Sequence, residues 1–160
     1  MQLTGKTRFQ LLDEDGEDLP ETWEFEWAGR DPFDIVVAVV TEVSARPWKW
    51  SVRKISSGKL SPQRCQALSA RVASVLRKEN RVRAAECIAR VVSDEFTPRR
   101  KNKIDLKEIR SLLAKIDPVM PEDADERPEV LAAVMLRRFR KALRTAVEVG
   151  AGLRVSWQVE

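Results

Sequence analysis

Arg137, Arg140, Lys141 and Arg144 recur at three- and four-residue steps. At about 100° per residue this spacing gathers four cations on one side of a helix. A second basic group, Arg99, Arg100, Lys101 and Lys103, lies in the run TPRRKNK, residues 97–103. Cations so placed can neutralise phosphates and make salt-sensitive, sequence-independent contacts with nucleic acid. The plainer alternative is a solvated helix face beside a basic loop, and the first reading requires loop and stripe to share a side.

Residues 46–54, RPWKWSVRK, interleave aromatic rings with cations. Trp48 and Trp50 have the chemistry of a single-strand platform, on which bases stack while Lys49 and Arg53 hold phosphates. Strand alternation, however, sends the rings and the cations to opposite faces. The competing expectation is that Trp48 and Trp50 join Trp23, Phe25 and Trp27 in a core under the helices.

Much other chemistry is excluded. The chain has no histidine and no tyrosine, which removes His-based acid–base catalysis, Ser-His and Cys-His nucleophile pairs and the commonest zinc sites. Cys65 and Cys87 form no CxxC pair and read as buried small hydrophobes in a reducing cytosol. The acidic turn 13–18 has its glycine too early for a calcium loop. Glu24 and Glu26 stand about 7 Å apart on one strand face, but no further ligand accompanies them, and they read as charges that discourage edge pairing. The helix–break–helix of residues 61–95 lacks the glycine usual in a DNA-reading turn, and beyond Arg83 and Arg90 it presents few base-reading side chains. No phosphate-binding glycine loop is present. We therefore expect no catalytic site, no metal and no cofactor.

Charge is segregated along the chain. Ten acids (Asp13, Glu14, Asp15, Glu17, Asp18, Glu21, Glu24, Glu26, Asp31 and Asp34) face Arg30 alone in residues 13–34. Residues 46–115 carry nineteen Lys and Arg against six acids. Such asymmetry points to acidic partners for the basic part, or to docking of unlike patches.

The elements that must position these groups follow from periodicity. Residues 3–12 and 22–28 alternate, with Thr7, Phe9 and Leu11 on one face and Trp23, Phe25 and Trp27 on the matching one, which predicts a hairpin. Residues 33–43 offer a helix start at Asp31-Pro32, but their crowded valines predict a strand buried on both faces. A fourth strand is expected over 48–53. Helices are expected over 61–78, 82–95, 104–116 and 129–149. The first should bury Cys65, Leu68, Val72, Val75 and Leu76; the second Ala85, Ile88, Ala89 and Val92; the third Leu106, Ile109, Leu112 and Leu113. The last should bury Ala132, Met135, Leu136, Phe139, Leu143, Ala146 and Val147, and end at Gly150. Residues 153–159 alternate again as a final strand that needs the N-terminal sheet for pairing.

The sum is one α+β domain over residues 1–160. It would have an antiparallel sheet of about five strands, four N-terminal (residues 1–56) plus the C-terminal one (153–159). About four helices from residues 61–149 would cover one face of that sheet. The run Asp31-Pro32-Phe33 before an apolar segment, with Trp50, Val52 and Arg53 beyond, resembles the middle of the SsgA-like sporulation regulators of actinobacteria. The spacing differs and the helical part departs from that pattern, so no function is carried over. Residues 2–8 are polar rather than leader-like, and no apolar run approaches the roughly 20 residues of a membrane span, so a cytoplasmic protein is expected. The leading expectation is a non-catalytic nucleic-acid-binding protein or subunit. The alternative is an assembly or adaptor protein whose acidic hairpin docks on basic helices, in another protein or a second copy.

Overall fold

The computed structural model describes residues 3–44, 58–96 and 104–159. In chain order the elements are β1 (Thr4–Leu12), β2 (Asp18–Ala28), α1 (Phe33–Val43), β3 (Lys59–Leu60), α2 (Pro62–Val75), α3 (Arg81–Val91), α4 (Leu106–Ala114), α5 (Pro128–Val149) and β4 (Gly152–Val159). The α+β class holds, with four described strands and five α-helices. The sheet order is β2-β1-β4-β3, and every neighbouring pair is antiparallel. Among the described residues no helix is long and apolar enough to cross a membrane.

Alternation dictates the sheet's two faces. On the inner face Thr7 pairs with Phe25 and Trp157, and Phe9 with Trp23 and Val155. On the outer face Arg8 pairs with Glu24 and Lys6 with Glu26. The hairpin turn closes on Asp13, whose carboxylate accepts from the Asp15 and Glu17 amides at 2.9 Å. Gly16 there takes a φ of 80°, a conformation that favours glycine. Gln10, expected outside, is buried, and its amide donates to the carbonyls of Leu11, Leu19 and Glu21.

The core is stitched by four phenylalanines. Phe9 lies with ring centroids 5.3 Å from Phe25, 5.5 Å from Phe33 and 5.1 Å from Phe139. The sheet, α1 and α5 therefore share one aromatic cluster.

Residues 33–43 are a helix, not the expected strand. Phe33, Ile35, Val36, Val37, Val39, Val40 and Val43 are all buried in it. Valine in a helix costs only about half a kcal/mol relative to alanine, whereas burying such a side chain yields about 1.5–3 kcal/mol, so packing wins over propensity. The start is secured locally. Asp31 Oδ1 accepts from the Phe33 amide at 2.9 Å, and Pro32 supplies no donor that would need a partner. The expected strand over 48–53, with Trp48 and Trp50, lies outside the described residues.

The Asp31 carboxylate also reaches the sheet. Thr7 Oγ1 donates to it at 2.7 Å, and Trp27 Nε1 donates to Thr7 Oγ1 at 3.0 Å. Gly5 leaves room for that indole: a Cβ there would sit 2.4 Å from the Trp27 ring. Burial pushes the Asp31 carboxyl above its ordinary 3.8, the Phe33 amide and Thr7 hydroxyl pull it back, and Asp34 pushes it up again. Between the ordinary and the raised value the folded chain holds more protons than the unfolded one. Stability from this group is therefore present at low pH and lost as pH rises across that window. Asp31→Asn keeps an acceptor and removes the charge. It should match or exceed the parent in urea melts at pH 7, while Asp31→Ala loses about 1–2 kcal/mol. An Asn variant weaker than the Ala variant at pH 7 would contradict the assignment.

The other helices follow their apolar faces with local departures. Ser61 caps α2, accepting from the Arg64 amide at 3.2 Å, and the five residues expected inward are buried. In α3 Ala89 is only partly covered. In α4 the first residue, Leu106, is 39 % exposed. Along α5 the buried stripe narrows to Ala142, Leu143 and Ala146, so Val147 falls outside it. Gly150 closes α5 with a φ of 68°, and the Ala151 amide reaches back to the Ala146 carbonyl at 2.8 Å.

Candidate phosphate-binding surface

Helix α5 turns from wholly buried to half-open near its middle. Residues 130–136 are buried, while Arg137 and Arg140 are partly covered and Lys141 and Arg144 exposed. Arg138, one position off the stripe, is spent on the core side, its guanidinium 5.4 Å over the Phe25 ring. The expected clustering of Arg137, Arg140, Lys141 and Arg144 on one helix face is thus present in the folded chain. Arg99, Arg100, Lys101 and Lys103 lie outside the described residues, as do Trp48 and Trp50.

The four cations divide by partner. Lys141 Nζ lies 3.3 Å from Asp117, and Arg144 Nε lies 3.2 Å from Glu148 one turn on. Both pairs are well exposed, and such pairs contribute about 0–1 kcal/mol, so a polyanion can displace the carboxylates at little cost. Arg140 Nη1 donates to Ser69 Oγ of α2 at 3.3 Å. Among the described residues no carboxylate pairs with Arg137 or Arg140. The Arg137 Nε is buried, with no hydrogen-bond partner among the described residues.

Arg81, the first residue of α3, completes the group. Its Nε donates to the Leu76 carbonyl at 3.0 Å. Burial pulls the Arg137 guanidinium's pKa down, and the charges of Arg140 and Arg81 pull it further. Arg140 is lowered by burial and then by Arg144. Like charges therefore feel one another across α3 and α5. Sequence reading missed Arg81 and Ser69. The only signal for Arg81 is its place after the break at Asn80, and nothing along the chain marks Ser69.

Several charges elsewhere are answered locally. On the sheet's outer face Glu24 binds Arg8 at 2.8 Å, Glu26 lies 3.8 Å from Lys6, and Asp18 binds Arg154 at 2.8 Å. Arg8 holds the Glu24 carboxyl below its ordinary range, chiefly through that hydrogen bond. Arg127 joins Glu108, Asp123 and Glu129 where α4 meets the start of α5. Arg90 binds Glu42 beside Cys87, on a cavity of about 300 Å³ between α1 and α3. The thiols are poor nucleophiles: burial raises Cys65 to about 11 and, with Glu42 adding to it, Cys87 to about 12.

Comparison of the chain with protein-family models, curated proteins and solved structures finds no match.

Proposed function

We propose that this chain is a non-catalytic nucleic-acid-binding protein or subunit. It works in the cytoplasm and holds phosphates on the basic face of α5. The observation that carries this reading is the set Arg81, Arg137 and Arg140, three neighbouring guanidiniums with no carboxylate partner among the described residues. Lys141 and Arg144 extend the set outward, and their weak pairs with Asp117 and Glu148 give way to phosphate. Contacts of this kind read charge and not sequence, and they need no cofactor.

The alternative is an adaptor whose acidic hairpin docks on basic helices. In it Glu24, Glu26 and Asp18 exchange the cations of their own sheet for those of the partner helices, through exposed pairs no stronger than those of Lys141 and Arg144.

The test is binding of fluorescent single- and double-stranded oligonucleotides at increasing salt. Three to five phosphate contacts predict an affinity for duplex that falls about 40- to 500-fold between 50 and 200 mM salt. No binding at low salt, with oligomers that grow with protein concentration in light scattering, favours the adaptor instead.

A further inference from the structure

We infer a discrete seat for a single phosphate group, centred on Arg137 and completed by Arg81, Arg140 and Ser69. The inference rests on the nucleic-acid reading and sharpens it from a basic face to one site. Arg81 and Arg140 are each held by a neutral acceptor, the Leu76 carbonyl and the Ser69 hydroxyl. Those bonds fix the positions of the guanidiniums, and no carboxylate among the described residues cancels their charges. Arg137, one turn before Arg140 on α5, is partly covered, and its buried Nε–H has no acceptor among the described residues. A buried donor without an acceptor is rare in folded chains, and a desolvated cation is rarer without a counter-charge. An oxyanion against the open part of the guanidinium supplies the missing counter-charge.

Phosphate is the anion whose chemistry fits. Planar guanidinium forks match its oxygens two at a time, and its charge spreads over several acceptors that different arginines can share. Lys141 and Arg144, exposed and already paired, form the rim through which a longer polyanion continues. The phosphate has two sources, a strand's terminal monoester or a backbone diester within it.

The test is thermal melting in sodium phosphate and in sodium chloride at equal ionic strength. Phosphate should raise the Tm of the parent by a few degrees over chloride. Arg137→Gln should melt in chloride at or above the parent, because a desolvated charge is gone, and lose the phosphate-specific rise. Arg140→Gln should lose that rise as well. No phosphate-specific rise in the parent overturns the seat, as does an Arg137→Gln variant that still shows it. Oligonucleotides of one sequence, with and without a 5′-phosphate, separate the sources. Tighter binding of the phosphorylated strand, lost in Arg137→Gln, supports the terminal group; equal weakening of both by the substitution supports the backbone. Oligonucleotide binding untouched by Arg137→Gln overturns the seat while the broader reading stands on Lys141 and Arg144. A phosphate rise in a protein that binds no oligonucleotide supports the seat and overturns the nucleic-acid reading.

Discussion

Phe139→Ala lowers the free energy of unfolding by about 3–5 kcal/mol. Phe139 is 1 % exposed and stands at the junction of three elements. Its ring lies 5.1 Å from Phe9 on β1 and 5.2 Å from Phe33 on α1, edge-on to the latter at 87°. Truncation removes the area it keeps from water and also leaves a void that the surrounding rings cannot fill without leaving their rotamers. Domains of this size are stable by only about 5–15 kcal/mol, so the loss is a large share of the total. Phe139→Leu, which keeps most of the volume, should cost clearly less. Urea unfolding followed by circular dichroism measures both. A loss under about 1 kcal/mol for the alanine variant would mean that the aromatic cluster does not join the sheet to the helices in the way described.

The second large effect is on binding. Replacing Arg81, Arg137 and Arg140 together by Gln should weaken duplex binding at 0.1 M salt on the order of tenfold, from the one phosphate they seat. Stability should change little, because the lost hydrogen bonds of Arg81 to Leu76 and Arg140 to Ser69 oppose the relief of desolvated like charge. These three side chains have no carboxylate partner among the described residues, and Arg137 and Arg140 are held partly out of water against like charge. Removing such charges relieves strain that a purely structural role would not have left in place. A triple variant that binds poorly only because it no longer folds would be exposed by its urea melt.

The hairpin and α5 were legible because each has two faces of different polarity, and period 2 or 3.6 records that difference along the chain. Helix α1 was not legible for the converse reason. Its open face, Asp34, Ala38, Thr41 and Glu42, is narrow and carries polar residues only near the two ends, so the period is weakly marked and the valines between point to a strand. Only its surroundings decide, and Asp31 bound to both the Phe33 amide and Thr7 is the local trace of that decision. Strand β3 is two residues long and exists through its register with Arg154 and Leu153, a partner far along the chain. The candidate site divides the same way. The run of Arg137, Arg140, Lys141 and Arg144 is helical arithmetic, readable from spacing. Arg81 and Ser69 enter only because α2 and the start of α3 pack against the middle of α5. The split between compensated and uncompensated cations depends on Asp117 and Glu148: Glu148 stands one turn beyond Arg144 and is readable from spacing, while only the fold brings Asp117 against Lys141.

The central claim is that the arginines gathered on α5 and the start of α3 contact phosphates. Its most direct measurement is the slope of log affinity against log salt for one duplex, in the parent and in the triple Gln variant. Loss of the one phosphate these arginines seat predicts a slope shallower by about 0.9 in the variant. Equal slopes in the two proteins, with binding intact, would show that these side chains touch no phosphate and would contradict the account.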